Sequence, residues 1–166
     1  MKPNNRELGT CYYPEHWPED LWQTDAEQMI NLGLKWVRIG EFSWSRLEPK
    51  ENEFSFEWLD RAIETLGKVG LSIILGTPTA TPPTWVIKKY PDMLALDADG
   101  RPRGFGSRRH YCFSHEGYRN QCSKIVRKLA ERYGSSPYIQ AWQTDNEYGC
   151  HDTTISYSSS ALKSFQ

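Results

Sequence analysis

The stretch KWVRIGEFSWSRLEP, residues 35–49, contains the pattern that decides the fold. It begins with a short apolar run around Val37 and Ile39, of the length of a buried strand, and continues into an acidic and aromatic loop. A doubly wound nucleotide-binding sheet needs a glycine-rich phosphate turn after its first strand. A β/α barrel enzyme instead carries polar and aromatic site residues in the loops after its strands. The stretch therefore favours a barrel.

The same strand-and-loop pattern recurs along the whole chain. Three more apolar runs predict strands, namely LGTCYY (8–13), LSIILG (71–76) and YIQAWQ (138–143), and residues 20–33, 57–70 and 116–134 have helical period and end in glycine. An open doubly wound sheet fits 166 residues, whereas a TIM barrel needs about 250. The loops decide for the barrel. We predict an α/β fold, a (β/α)8 TIM barrel of which the chain holds the first four βα units, the last incomplete.

Composition excludes several classes of partner. The net charge of −1 gives no electrostatic reason to expect nucleic acid or an anionic membrane. No apolar run reaches the roughly 18 residues of a membrane span, and the start MKPNNRELGTCYY lacks the apolar centre of a signal peptide. Four scattered cysteines suit reduced thiols better than a disulfide framework. We therefore expect a cytoplasmic protein.

Aromatic residues are frequent and lie beside polar ones. They make up 13% of the chain, with 7 Trp and 9 Tyr, and many stand in loops next to proline, glycine and charged residues. The segment 78–114, which follows the third predicted strand, is an elaborated loop of this kind. Exposed aromatic rings beside polar groups are suited to ligands with mixed faces, such as sugars.

Glu147 is the leading candidate for chemistry. It stands in TDNEYG, residues 144–149, just after the last predicted strand. A loop glutamate is usually a solvated charge. Here Asn146 offers an amide for a hydroxyl group, and Trp142 and Tyr148 are expected to form apolar walls that raise the carboxyl pKa, as a general acid requires. A carboxyl group beside a sugar-binding amide suggests glycoside cleavage, which normally uses two carboxyl groups.

Five motifs together resemble one enzyme family. GTCYYPEHWPE, VRIGEFSWSRLEP, TPTATPPTW, SRRHYCFS and WQTDNEYG are similar, in order and spacing, to the N-terminal half of the catalytic barrel of family 42 glycoside hydrolases, the bacterial β-galactosidases. The resemblance covers about residues 8–151. It implies a retaining enzyme that cleaves terminal β-D-galactosides without a cofactor and forms a homo-oligomer, often a trimer. Residues 1–166 then belong to the N-terminal part of one catalytic domain.

The resemblance also implies roles for four residues. Glu147 matches the proton donor that later acts as base, and Asn146 matches the amide that binds the hydroxyl next to the reacting carbon. Arg108 matches a galactose-binding arginine, and Arg38 matches another sugar contact.

Two of these assignments leave alternatives open. A structural ion pair with Glu41 or another carboxylate near the strand ends is the competing role for Arg38. For Arg108 the neighbour Arg109 creates ambiguity, and the competing role for one of the pair is that of a solvated surface charge.

The second carboxyl group has no clear position in this chain. Asp145 is expected to point to the strand face opposite Glu147. Glu41 and Glu15 follow earlier strands and are able to reach the pocket. The resemblance places the nucleophile on a late barrel strand, beyond residue 166. Alone, the 166 residues are thus expected to be inactive and poorly folded, with open strand edges.

No metal site is predicted. In the resembled family a zinc ion is often held by a cysteine matching Cys112 and by a Cys-x-Cys-x-x-Cys run. In this sequence that run falls on Ser156, Ser158 and Ala161. Cys112 is therefore interpreted as a lone buried thiol.

Two other functions remain as hypotheses. One is a non-catalytic carbohydrate-binding fragment. The other is a metal-dependent barrel hydrolase that uses His110, His151 and Asp152. The second is the weaker, because its ligands are scattered and Glu147 would have no role.

Overall fold

Four parallel strands alternate with helices along this chain. The computed structural model describes residues 6–106, 108–150 and 155–166. In these residues the strands are β1 (Leu8–Cys11), β2 (Leu34–Ile39), β3 (Ser72–Gly76) and β4 (Ile139–Gln143). The helices are α1 (Trp22–Asn31), α2 (Trp44–Leu47), α3 (Glu57–Lys68), α4 (Thr84–Lys89), α5 (Glu116–Tyr133) and α6 (Ser159–Phe165). The predicted order of strands and long helices is confirmed.

The strands form one sheet in chain order. β1 pairs with β2, β2 with β3 and β3 with β4, all in parallel. Val37 lies opposite Ile73, and Ile73 lies opposite Ile139, so apolar residues form a row across the sheet. Parallel neighbours need crossover connections, which α1, α3 and α5 supply. All four strands end at the same edge, so the loops that follow them meet there.

Each crossover helix buries an apolar stripe, as its period predicts. The buried stripe residues are Trp22, Ala26 and Met29 in α1, Leu59, Ala62 and Leu66 in α3, and Ile125, Leu129 and Tyr133 in α5. The sheet adds Val37, Ile39, Ile73 and Leu75, none of which is exposed. Burial of one such aliphatic side chain stabilises the fold by about 1.5–3 kcal/mol, so this layer is the core.

Glycines follow the three long helices, and two different physical constraints favour glycine at these positions. Gly33 and Gly70 have φ angles of 81° and 99°, a left-handed conformation in which glycine avoids the strain of a Cβ atom. Gly134 has a φ of −60°. Its constraint is space, because a Cβ atom there would lie 2.6 Å from the carbonyl oxygen of Ala130.

The segment between β3 and α5 is the elaborated loop that the sequence predicts. It folds back on itself through antiparallel bridges between Leu94 and Tyr111 and between Leu96 and Pro102. This hairpin returns the chain to the end of β4, where Arg108 and Arg109 contact the loop after that strand.

Two short helices ahead of α5 were not predicted. α2 and α4 have only four and six residues, which is too short for an amphipathic period to show in the sequence. In the part of the chain that the structure describes, no helix is long and apolar enough to cross a membrane.

Candidate active site

The chain turns sharply after β4 and exposes a carboxylate there. β4 ends at Gln143, and Asp145 and Glu147 then have φ angles of 55° and 53°. Such left-handed angles are uncommon for residues with a side chain and often mark functional segments. The turn places Asn146 in the interior, 4% exposed, and leaves the Glu147 side chain 50% exposed.

Arg108 is the ionic partner of Glu147. Its Nη1 donates to Oε2 of Glu147 over 2.9 Å, and its guanidinium lies 5.4 Å from the ring centre of Phe42, in the loop after β2. Arg109 is instead buried and bonded to Asp145. Arg108 thus touches the Glu147 carboxylate, and neither arginine is merely solvated.

Gln143 connects Asn146 to Arg38. Its Nε2 donates to Oδ1 of Asn146 over 3.1 Å and to the carbonyl of Asp145 over 2.7 Å. Its Oε1 accepts from Nη1 of Arg38 over 2.8 Å. Sequence reasoning missed Gln143 as a site residue. The sequence signal that could have found it is a polar side chain at the end of an apolar strand, next to the loops that carry the site.

Arg38 forms the ion pair that the sequence offers as its alternative role. Its Nη2 lies 2.8 Å from Oε1 of Glu41, a carboxylate with no exposed surface. About a quarter of the Arg38 side chain is exposed. The ion pair thus leaves part of the Arg38 side chain accessible.

Glu15 and Glu41 are the other carboxyl groups at the strand ends. Burial raises the pKa of Glu15, and its own backbone N–H and the nearby His16 lower it in part. Glu41 is held by Arg38. Among the described residues, Glu147 forms its ion pair with Arg108.

Asp145 is buried in a network of its own. It is 4% exposed, its Oδ1 lies 3.2 Å from Nη2 of Arg109, and its Oδ2 accepts from Oγ1 of Thr79 over 2.7 Å. The prediction that places it on the opposite strand face is wrong, because residues two apart in a strand lie on the same face. The strand also ends at Gln143, so it is the left-handed turn that separates the buried Asp145 from the exposed Glu147. A carboxylate bonded in this way is not available to attack a substrate.

The apolar walls expected around Glu147 are not formed by Trp142 and Tyr148. The Tyr148 ring lies over the guanidinium of Arg109, at 5.5 Å, a favourable contact between a cation and an aromatic face. Both aromatic side chains are exposed. The prediction of this enclosure is wrong because the turn after β4 directs Tyr148 towards Arg109.

The residues around Cys112 do not fit a structural zinc. Cys112, Ser156 and Ala161 line one cavity of about 500 Å³. The Ser156 hydroxyl accepts from the backbone N–H groups of Leu96 and Ser158, and the Ser158 hydroxyl accepts from that of Ala161. Zinc needs thiolate, imidazole or carboxylate ligands. One thiol beside hydroxyls that already cap the backbone does not supply this set.

The alternative metal site gains no support. Within residues 6–106, 108–150 and 155–166, no group of three His, Cys, Asp or Glu side chains is placed to hold a metal ion. His110 is buried and packs edge-on against Phe105 and Tyr111. His151 and Asp152 lie outside the described residues.

Comparison with known proteins identifies the family. The model of glycoside hydrolase family 42, described as beta-galactosidase, matches residues 11–166. The chain belongs to this family.

Among family 42 relatives, a beta-galactosidase of Thermus thermophilus is 53% identical over 159 residues, which are 96% of this chain and 25% of that protein. The beta-galactosidase Bga of Halorubrum lacusprofundi is 48% identical, over 96% of this chain and 23% of its own length. The chain thus spans about a quarter of the length of the curated relatives it matches.

Solved structures confirm the fold. The beta-galactosidase of the psychrophilic Marinomonas ef1 matches with a TM-score of 0.95 and 54% identity, over 96% of this chain and 24% of that one. The enzyme of Halorubrum lacusprofundi matches with a TM-score of 0.91 and 49% identity, over 93% and 23%. The four βα units of this family 42 chain are therefore part of a TIM barrel, as predicted.

Proposed function

We propose that the complete protein that contains this chain is a retaining β-galactosidase, which hydrolyses terminal β-D-galactosides. The observation that carries the proposal is the group at the end of β4, where Glu147 and Asn146 follow each other and Arg108 contacts the carboxylate. Relatives named beta-galactosidase at 53% and 48% identity support the substrate class.

Glu147 is the acid and base of this mechanism. In the first step its carboxyl group gives a proton to the leaving oxygen while a carboxylate attacks the sugar carbon and forms a glycosyl-enzyme. In the second step the Glu147 carboxylate takes a proton from water, and the water oxygen replaces the enzyme carboxylate at that carbon. The half-exposed position of Glu147 supports this role, because substrate and water both have access to it.

The nucleophile is a glutamate outside these 166 residues, on a later strand of the barrel. Retention requires two carboxyl groups about 5–5.5 Å apart. Asp145 is bonded to Arg109 and Thr79 in the interior, and Glu41 is paired with Arg38. These contacts support a nucleophilic carboxylate from elsewhere in the complete protein. The 166 residues alone are accordingly expected to be inactive.

Arg108 and Asn146 hold the sugar. A bound galactoside offers hydroxyl groups that replace the Glu147 carboxylate as acceptors for the Arg108 guanidinium, and this exchange frees Glu147 to face the leaving oxygen. Both side chains are about half exposed, so the exchange does not disturb the core. Asn146, whose amide oxygen accepts from Gln143, donates from its amide nitrogen to the hydroxyl next to the reacting carbon. Arg38 contacts the sugar from the end of β2.

The remaining assignments rest on the family and the composition. Residues 1–166 form the N-terminal part of a single catalytic barrel domain, and the complete protein is a homo-trimer that works in the cytoplasm. The free cysteines support the last point, because disulfides are rare in that compartment.

The stereochemistry of the first product tests the proposal. The full-length protein is incubated with an aryl β-D-galactoside, and the released sugar is followed by proton NMR before its anomers equilibrate. The matched aryl β-D-glucoside serves as the control, because it differs only in the configuration at C4. We expect β-galactose as the first product and slower turnover of the glucoside. Release of α-galactose, or turnover of the glucoside alone, would contradict the proposal.

A further inference from the structure

A buried ion pair lies directly behind the Asn146–Glu147 dipeptide. Arg109 is 1% exposed, and its Nη2 lies 3.2 Å from Oδ1 of Asp145. The other oxygen of Asp145 accepts from Thr79 over 2.7 Å and from the Tyr111 hydroxyl over 3.3 Å. Charges are removed from water only at a large cost unless they are paired and hydrogen-bonded. Here both oxygens of the carboxylate have partners.

The pair holds the backbone of Asn146 from both sides. The amide N–H of Asn146 donates to Oδ1 of Asp145 over 2.7 Å. The carbonyl of Asn146, which belongs to the peptide bond leading to Glu147, accepts from Nη2 of Arg109. The amide N–H of Asp145 donates in turn to Oγ1 of Thr77 over 2.7 Å. The peptide groups on both sides of Asn146 are therefore fixed by the interior.

This backbone needs external support to keep its conformation. Asp145 and Glu147 both occupy the left-handed region, with φ angles of 55° and 53°. Side chains disfavour that region, and such conformations persist only when the surroundings determine them. A turn of this kind sets the direction in which the Glu147 side chain leaves the backbone.

The guanidinium of Arg109 is itself held in place. Its carbon lies 5.5 Å from the ring centre of Tyr148 and 5.8 Å from that of Phe113. A planar guanidinium stacks on aromatic rings with its N–H groups held in a fixed plane, which the ammonium of a lysine does not reproduce. In Arg109 a single nitrogen, Nη2, meets both the Asp145 carboxylate and the Asn146 carbonyl. One guanidinium thus joins a buried carboxylate, a backbone carbonyl and two rings.

We propose that Arg109 and Asp145 are positioning residues, which orient Glu147 and Asn146 for catalysis through the backbone of the turn after β4. The inference rests on the proposed function of Glu147 as acid and base. Arg109 differs in role from its neighbour Arg108, because Arg108 meets the Glu147 carboxylate and Arg109 meets the peptide group in front of it.

The test compares two variants of the full-length enzyme, Asp145→Asn and Arg109→Lys. Each is assayed with a galactoside that has a poor leaving group and with an activated aryl galactoside. A displaced acid slows the first substrate more than the second, because only the first depends on protonation. We expect kcat to fall on the order of 10²-fold with the poor leaving group and clearly less with the activated one. KM should change little.

A buried ion pair outside the turn provides the matched control. Glu48 is fully buried and paired with Lys124, so Glu48→Gln removes a comparable charge without touching residues 145–147. If the role of Arg109 and Asp145 is only structural, activity per folded molecule should keep the same ratio between the two substrates, as in Glu48→Gln. That result would overturn the proposal.

A milder variant covers the case in which the charge variants fail to fold. Thr79→Val keeps the shape of the side chain and removes one donor to Asp145. It should show the same preference for activated leaving groups, to a smaller extent, and an unchanged ratio of the two rates would contradict the inference. Failure of the proposed function is distinguishable, because then Glu147→Gln itself would not alter the dependence on the leaving group.

Discussion

Arg108 and Glu147 meet across 2.9 Å although 39 residues separate them in the chain. The contact joins two βα loops, the hairpin before α5 and the turn after β4. Both side chains are about half exposed, and an ion pair of this kind contributes only about 0–1 kcal/mol to stability. The pair therefore contributes little to stability. Such weakly held, exposed charged groups are suited to binding a ligand.

Replacing Arg108 should reduce activity without unfolding the protein. Hydrogen bonds to a charged group contribute about 1.5–3 kcal/mol, so Arg108→Ala in the full-length enzyme should lower kcat/KM by about 10–100-fold. Arg61→Ala is the matched control, because Arg61 forms a comparably exposed ion pair with Glu19 and not with the turn after β4. Thermal unfolding should be nearly the same for both variants. A similar loss of activity in Arg61→Ala would contradict the assignment.

Replacing Asn146 should affect both activity and stability. Asn146 is buried, and its Oδ1 accepts from Gln143, so Asn146→Ala removes an acceptor from the interior as well as the proposed sugar contact. We expect a stability loss of about 1 kcal/mol and a larger loss of kcat/KM per folded molecule. Urea unfolding monitors the first quantity, and galactoside kinetics monitors the second. Full activity per folded molecule would show that Asn146 is only structural.

The buried carboxyl group of Glu15 should make the protein less stable as the pH rises. Burial raises the pKa of Glu15 above the usual 4.5, so the unfolded chain loses this proton at lower pH than the folded protein does. Stability is then fully present below the ordinary pKa and decreases as the pH rises through the raised one. The Tm of Glu15→Gln relative to wild type should therefore increase from about pH 4 to about pH 7.

Asp60 is a control for that experiment, because its contribution to stability should change with pH in the opposite direction. Its hydrogen bond with Arg132 lowers the pKa of Asp60, so its contribution is present above the ordinary value and is lost as the pH falls. The deficit of Asp60→Asn relative to wild type should thus shrink towards acidic pH. A pH-independent difference for Glu15→Gln would contradict the role given to its burial.

The purified protein should not contain a stoichiometric amount of zinc. Cys112 is accompanied by Ser156 and Ala161 around its cavity, and the serine hydroxyls cap backbone groups. Elemental analysis should find far less than one zinc per chain, and a chelator should leave the Tm unchanged. Stoichiometric zinc that disappears in Cys112→Ser would contradict this prediction.

The sequence predicts the strands and long helices because their signals are local. The apolar stripe of α3 and the apolar run of β3 each lie within one short segment, and both appear where expected. The pair Asn146–Glu147 is likewise recognisable as a motif.

The contacts within the site could not be predicted because they depend on turns that join distant segments. Arg108 and Arg109 are adjacent and chemically alike, and only the hairpin before α5 separates their roles. Gln143 and Asp145 depend on the left-handed turn after β4. Residues with side chains rarely adopt such a turn, so sequence rules do not place it.

The dependence of Glu147→Gln on the leaving group tests the central claim most directly. The full-length variant is assayed with a series of β-galactosides of increasing leaving-group acidity, beside Glu64→Gln as the control, whose glutamate forms an exposed pair with Lys68. General acid catalysis contributes about 10²–10⁴-fold. The account predicts that kcat/KM falls by this amount for poor leaving groups and little for activated ones, while Glu64→Gln behaves as wild type. An equal loss across the whole series would show that Glu147 is not the proton donor.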